Sequence, residues 1–463
     1  MMSDAKKWSA ERSDVILYAA GLLFPFLILS VFISKFYYND VGVFAQWADC
    51  WKDDASHVYA LCQYANYPFL GMVFTAGLIS GLKDVFHVNE FVATVVYFRT
   101  ILAAFDALNL ALLVAIARAL KIQHPVRIAL MIALLPSSWA GGAVWGQIDD
   151  ISQFFLLAGL YGLLRAYQTS GETGLRSVAC FLLAMFSFVG GLLTKQMAVF
   201  SIAALTPLAI AVLARFRSSP RLNRLLAGAG ILAAAGFFLV LDRQIDISGF
   251  FGSSFLYVWL GGGSHHYYRI TGDGFNIWVL LDRPLGSQSN VPFSSFSVFG
   301  HELRFTPLAC GFVLFGLYTL LVSRLFYQFV RRRLAPLEGS RTEVFIACCI
   351  LYLAMINLGF NVLLTGTNAR YLYHFYPFLF LSAAVLPSSN AFARPSMIGF
   401  YIASSIVYGV HVLACIDPER AWQVGEARLL AVVHVALLVA LVVLGFRPAQ
   451  QERRCFRLAS PAV

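Results

Sequence analysis

Apolar residues run along this chain in long unbroken stretches, not in the two-residue alternation of strands or the one-sided stripe of a water-facing helix. The stretches fall at about 15–36, 91–118, 127–144, 151–166, 178–193, 197–214, 225–241, 306–324, 344–364, 372–387, 397–415 and 429–446. Most lie near the ~20 residues that one helix needs to cross about 30 Å of hydrocarbon. The pattern predicts an all-α polytopic transmembrane helical bundle of about twelve spans, a single domain over 1–463. The first stretch, Val15 to Phe36, is longer than a signal-peptide core and has no small-residue cleavage site before Tyr37-Tyr38-Asn39-Asp40, which predicts an uncleaved anchor.

Composition agrees with that pattern: 59% of the 463 residues are hydrophobic and 13% charged, with a mean hydropathy of +0.72. One soluble core cannot absorb so much apolar surface, so the excess faces lipid. The net charge of +10 does not indicate nucleic acid, because the basic residues sit in short loops and form no patch or stripe. Membrane lipids are the expected counter-charge.

Charge also sets the sidedness. Lys6/Lys7/Arg12, Arg118/Lys121/Arg127, Arg215/Arg217/Arg221/Arg224, Arg331/Arg332/Arg333 and Arg453/Arg454/Arg457 occupy alternate connections. By the positive-inside rule that side is cytoplasmic and carries both termini. The opposite side receives two long loops, about 37–90 and 242–305, rich in aromatics. This parity requires Pro68 to Leu82 to lie along the outer surface as an interfacial helix and not to cross.

Of the eight cysteines, Cys180, Cys310, Cys348, Cys349 and Cys415 fall in or beside apolar runs, as small hydrophobes do. No zinc spacing occurs. Cys50 and Cys62 share the first outer loop, where they can either form a disulfide or remain two free thiols.

The candidate chemistry lies in tight turns on the outer face. Trp145-Gly146-Gln147-Ile148-Asp149-Asp150, Thr194-Lys195-Gln196 and Thr365-Gly366-Thr367-Asn368-Ala369-Arg370-Tyr371 carry charged or amide groups where a turn needs only Gly, Ser or Asn. A charge at full membrane depth costs roughly 2.5–3.5 kcal/mol, so such groups pair, line a wet cavity or bind something. Asp40 follows the first span on the same face. Sugar transfer from a polyprenyl phosphate needs a carboxylate to take the acceptor's proton, which Asp40 and Asp149 can supply. It also needs cations for the leaving phosphate, here Lys195 and Arg370. Tyr371, Trp47, Trp51, Tyr64, Tyr67 and Trp278 offer flat faces for sugar rings or anchors at the interface.

Simpler roles exist for each of these. Asp40 alone can be a solvated loop acid, Asp149 and Asp150 suit a helix N-terminus, Lys195 can snorkel, and Arg370 can pair structurally. Arg99 and Asp106 stand two helical turns apart on one helix face, a spacing that suits a structural or hydration role. His265-His266 lacks further spaced ligands, so no metal and no cofactor is expected.

Several dispersed pieces together resemble a known group. These are Asn39-Asp40-Val41-Gly42-Val43-Phe44-Ala45-Gln46-Trp47, Asn66-Tyr67-Pro68-Phe69-Leu70, Trp145-Gly146-Gln147-Ile148-Asp149, Thr194-Lys195-Gln196, Asn276-Ile277-Trp278 and Ala369-Arg370-Tyr371-Leu372. In order and spacing the set resembles the GT-C class of polytopic glycosyltransferases, specifically bacterial proteins related to GPI-anchor mannosyltransferases. The resemblance implies an inverting transferase of the bacterial inner membrane using a polyprenyl- or dolichyl-phosphate sugar, with Asp40 as catalytic base, mannose as the default sugar and juxtamembrane helices after the first span. It assigns substrate contacts to Lys195, Gln196, Arg370, Tyr371, Trp145, Gln147, Tyr67 and Trp278. The chain departs from those proteins in Asn368-Ala369, where they carry His-Glu, and in Phe69, where they carry a second Pro. A transporter or lipid-linked saccharide flippase is the alternative from another class, but no internal repeat of the kind such folds show is present. A polymerase or ligase acting on lipid-pyrophosphate saccharides would share the site and differ in donor.

Overall fold

The computed structural model describes residues 4–55, 58, 62, 65, 67–87, 91–169, 174–216, 228, 269–271, 274, 276–281, 287–298, 301–333, 341–386, 391–416 and 424–446. The helices are α1 (Asp4–Val31), α2 (Tyr38–Asp54), α3 (Phe69–Phe86), α4 (Phe91–Ala119), α5 (Pro125–Leu134), α6 (Asp149–Thr169), α7 (Gly174–Thr194), α8 (Ala198–Ala204) and α9 (Thr206–Phe216). After a short antiparallel hairpin, β1 (Ser294–Val298) and β2 (His301–Phe305), come α10 (Pro307–Arg333), α11 (Arg341–Leu363), α12 (Tyr376–Val385), α13 (Pro395–Ile416) and α14 (Val424–Leu444). The all-α polytopic architecture is therefore present. Among the described residues eight helices are long and apolar enough to cross a membrane, and nine if α8 and α9 count as one bent span.

Burial separates the centre of the bundle from its rim. The apolar window of α11 is 100% buried, whereas those of α1 and α10 are 17% buried. Leu23, Leu317 and Leu320 stand 66%, 59% and 69% exposed, a surface that suits lipid and not water. Alongside α11 in the interior runs α6, with Leu156, Leu157, Leu160, Leu163 and Leu164 fully buried against α7 and α4.

Three predicted spans are broken, for identifiable reasons. The stretch 127–144 forms the 10-residue α5, then a 3-10 turn at Pro136–Ser138 and a π turn at Ala140–Trp145. Pro136 disfavours helix at the residue before it, and Leu135 accordingly takes an extended ψ of 138°. Ten residues rise about 15 Å, half of what a crossing needs. The stretch 372–387 likewise starts as a 3-10 helix at Ala369–His374 and continues as α12, with 10 residues, most of them packed inside the bundle. The stretch 197–214 bends by 46° between α8 and α9, next to Pro207. The stretch 225–241, His265-His266, Tyr64, and the basic residues Arg217, Arg221, Arg224, Arg453, Arg454 and Arg457 lie outside the described residues. The segment expected to lie on the surface, Pro68 to Leu82, is longer than the apolar pattern suggests. It forms α3 to Phe86, 18 residues with one π turn at Val73–Gly77, and by length and composition it is itself among the eight.

The helix after the first span, α2, packs through Phe44, Trp47 and Ala48 onto Met72, Ala76 and Ile79 of α3 and Phe98 of α4. A Cys50–Cys62 disulfide, with Cα atoms 5.9 Å apart, resolves the alternative left open by spacing alone. Closing a loop of this size stabilises a fold by about 2–4 kcal/mol. Cys50→Ser is expected to lower the melting temperature measurably, and non-reducing peptide mapping of the native chain should find residues 50 and 62 cross-linked. Two alkylatable thiols at these positions in untreated protein would contradict this arrangement of the segment after α1.

Candidate functional site

Four segments far apart in sequence converge at the ends of these helices. Asp40 lies in the first turn of α2, whose entry is clamped onto Trp145: the Tyr37 N–H donates to the Trp145 carbonyl at 3.2 Å, and the two rings stand 4.4 Å apart. Gly146, at φ +90°, turns the chain sharply after the π turn, and a side chain there would be strained in this left-handed region. The turn aims Gln147 inward and starts α6 at Asp149 and Asp150, where acids suit the positive end of the helix dipole. Lys195 ends α7, its N–H donating to the Gly191 carbonyl at 2.9 Å. Arg370 sits in the first turn of the 3-10 helix, which Asn368 caps by accepting from the Arg370 N–H at 3.4 Å.

The side chains form a closed ionic quartet. Arg370 Nη1 donates to Asp40 Oδ2, and Lys195 Nζ donates to Asp149 Oδ1. Arg370 Nε stands 3.7 Å from Asp149 Oδ2, and His374 Nε2 stands 3.6 Å from Asp149 Oδ1. Two acids thus face two cations. Their side-chain exposures are 24% for Asp40, 6% for Arg370, 2% for Lys195 and 0% for Asp149, so Asp40 is the member that a solute can reach. The Trp145 indole N–H also donates to Asp40 Oδ2, at 2.7 Å, which leaves Oδ1 as the free carboxylate oxygen.

Aromatic rings enclose the cations. Lys195 Nζ lies 5.4 Å from the Tyr371 ring and 5.8 Å from that of Tyr67, and the Arg370 guanidinium lies 5.6 Å from Trp145 and from Tyr371. Burial pulls the Lys195 ammonium down to about 8, with Asp149 acting in the opposite sense. Burial also opposes the Arg370 cation, but Asp40, Tyr67, Tyr371 and Asp149 outweigh it and hold the guanidinium protonated above its usual range. For Tyr67, burial pushes the phenol well above its ordinary value. Its hydroxyl donates to Gln147 Oε1 at 2.7 Å, orienting that amide.

Some donors at the quartet are unused. Among the described residues Gln147 Nε2 and Arg370 Nε are buried without a hydrogen-bond partner. An unsatisfied buried donor costs about 1–3 kcal/mol, so two beside one charge cluster mark a place for acceptor oxygens.

Most of the residues singled out from sequence meet at this point: Asp40, Tyr67, Trp145, Gln147, Asp149, Lys195, Arg370 and Tyr371. Two do not join the charges. Gln196 is half-buried at the turn into α8, its carbonyl accepting from the Val199 N–H at 3.1 Å. Trp278 donates to the Leu363 carbonyl at 2.8 Å and packs against Phe293, which makes it a support for the end of α11. Arg99 is equally structural: it donates to the carbonyls of Phe32, Ile33 and Ala143, binding the end of α1 to the π turn. His374 and Gln153, hydrogen-bonded at 2.7 Å, are not singled out by the sequence pattern. The available signal is their position four residues after Arg370 and after Asp149, one helical turn on.

No family model, no curated protein and no solved structure matches the chain.

Removing one partner of a buried ion pair leaves an uncompensated charge and costs about 3–5 kcal/mol. Lys195→Met should therefore destabilise the protein strongly, and adding Asp149→Asn should restore most of the loss. Equal melting temperatures for Lys195→Met and wild type in the same detergent would show that the quartet does not hold these segments together.

Proposed function

We propose that this protein is an inverting glycosyltransferase that takes its sugar from a polyprenyl- or dolichyl-phosphate carrier at the non-cytoplasmic membrane face. The observation that carries the reading is Asp40, a reachable carboxylate with one oxygen free, held against a guanidinium and beside two unused N–H donors of the same charge cluster. In the reaction the acceptor hydroxyl gives its proton to Asp40 Oδ1 while its oxygen attacks the anomeric carbon, and the bond from that carbon to the phosphate oxygen breaks. The phosphate leaves with its negative charge onto Arg370 and Lys195, with Gln147 as a further donor. Asp149, fully buried, holds these cations in place instead of touching the acceptor. Arg370 also links donor to base: in the proposed reaction the guanidinium that pairs with Asp40 turns to the donor phosphate and leaves the carboxylate to the acceptor hydroxyl.

The basic clusters support both termini on the cytoplasmic side and α3 along the outer surface, with about twelve crossings if the interrupted stretches 127–144 and 372–387 are counted with their irregular extensions. The resemblance adds a GT-C-like bundle and a bacterial inner membrane as the setting. Mannose is the default sugar, and the acceptor is a lipid, glycan or protein hydroxyl.

Incubating the full chain in proteoliposomes with a panel of radiolabelled polyprenyl-phosphate sugars should reveal one that is transferred. Asp40→Asn should abolish that transfer while membrane insertion and fold stay intact, at a melting temperature lowered by the loss of the Arg370 partner. Undiminished turnover of the asparagine variant would refute the assigned base. The pH profile tests the phosphate cradle. Lys195 is a cation below about 8 and loses its proton above it, so kcat/KM should fall as pH rises through that value. Lys195→Arg, which stays charged, should flatten the fall. A fall of the same size at the same pH in the arginine variant would assign the titration to another group.

A further inference from the structure

Next to the quartet lies a second buried polar set that the proposed reaction does not use. Asp106 of α4 and Asp150, the residue after Asp149, bring their carboxyl groups within hydrogen-bond reach of each other, at 6% and 0% exposure. Among the described residues no Lys, Arg or His forms an ion pair with either. The Tyr373 hydroxyl donates its one hydrogen to Asp106 Oδ1 at 3.1 Å. Asn109 Nδ2 is directed at the Asp150 carbonyl, 3.0 Å, and at the Tyr373 hydroxyl, 3.2 Å. Four acceptor oxygens then have no donor: Asp106 Oδ2, both carboxyl oxygens of Asp150, and Asn109 Oδ1.

Two bare carboxylates in contact inside a helix bundle cannot stand, because each must lose hydration and they repel at close range. The pair needs a positive charge that none of the described residues supplies. A metal ion with its ligand sphere fits poorly. On one side Asp150 Oδ2 presses so closely on Gly142 that a Cβ there would lie 1.1 Å from it. On the other, the cavity lined by Asp106, Asn109, Gln153 and Tyr373 has a volume of about 20 Å³, room for about one water. Gln153 Nε2, 1% exposed and without a partner, belongs to the same cavity wall.

We propose that Asp106 and Asp150 form a buried proton-binding site, in which one proton is held between them as a carboxyl O–H donating to a carboxylate oxygen. A water in the adjoining cavity completes the site: it accepts from Gln153 Nε2 and donates to Asn109 Oδ1 and to an Asp106 oxygen. The proton removes one negative charge immediately next to Asp149 in the chain, so the quartet keeps its balance of two acids against two cations. The site touches the quartet through Gln153, whose Oε1 meets His374 Nδ1 at 2.7 Å. The inference stands on the unpartnered oxygens and is independent of the transferase reading.

Infrared difference spectroscopy of the full chain in nanodiscs, with and without ¹³C-labelled aspartate, tests it without any substrate. At neutral pH the wild type should show a protonated carboxyl C=O band that shifts on ¹³C labelling and again in D₂O. Asp106→Asn and Asp150→Asn should each lose the band yet keep the wild-type melting temperature, since the amide N–H stands in for the shared proton. Asp106→Leu, which supplies no donor, should melt lower than Asp106→Asn. The proposal is overturned by a wild type with no such band, or by a band that survives in both asparagine variants. It is equally overturned if NaCl or MgCl₂ raises the melting temperature of the wild type but not of those variants, because the occupant would then be a metal cation.

Discussion

The structure depends on the mutual neutralisation of Asp40, Asp149, Lys195 and Arg370 where four segments meet at the helix ends. Each ion alone carries a desolvation penalty that a single partner repays only with good geometry. Together they satisfy one another, and in doing so they bind α2, α6, the end of α7 and the 3-10 helix before α12 into one rigid group. The Arg370–Asp40 contact spans 330 residues of chain, so the N- and C-terminal parts of the bundle are coupled through it. Asp40 alone keeps a quarter of its surface open, the asymmetry that the proposed reaction uses.

That geometry explains the irregular segments. A continuous α-helix through 127–144 would place Trp145 and Gln147 on whichever faces a 100° step dictates. The Pro136 break, the π turn and the left-handed Gly146 together let Trp145 reach Asp40 while Gln147 meets Tyr67. In the same way the 3-10 helix at Ala369–His374 brings Arg370 to both acids and His374 to Asp149. Departures from regular helix thus cluster where charges are positioned, as expected where local regularity yields to a functional site.

Much of this is legible in the sequence, and the limits have physical causes. Charged residues in turns too short to need them stand out, because apolar flanks make them costly; hence Asp40, Asp149, Lys195 and Arg370 can be grouped by face alone. Hydropathy reports apolarity and not helix continuity. A ten-residue helix with a 3-10 or π extension therefore reads like a full span, as at 127–144 and 372–387. His374 and Gln153 lie hidden inside such runs. Trp278 is visible as an aromatic in an outer loop, but whether it serves as sugar platform or as hydrogen-bond donor to a helix end depends on the Leu363 carbonyl, 85 residues later.

The two polar sets meet at consecutive residues of one helix, and their unsatisfied groups have opposite character. Around Asp149 the unpartnered side chains include N–H donors, which call for an anion; around Asp150 they are mostly oxygens, which call for a proton. Successive helical side chains point about 100° apart, so adjacent carboxyls on α6 can serve adjacent but separate environments. One is paired with cations, whereas the other is turned toward α4 and the small cavity. If both acids faced the quartet, three carboxylates would confront two cations and the cluster would carry net negative charge. Directing Asp150 away, and covering it with Tyr373 and Gly142, keeps the quartet neutral.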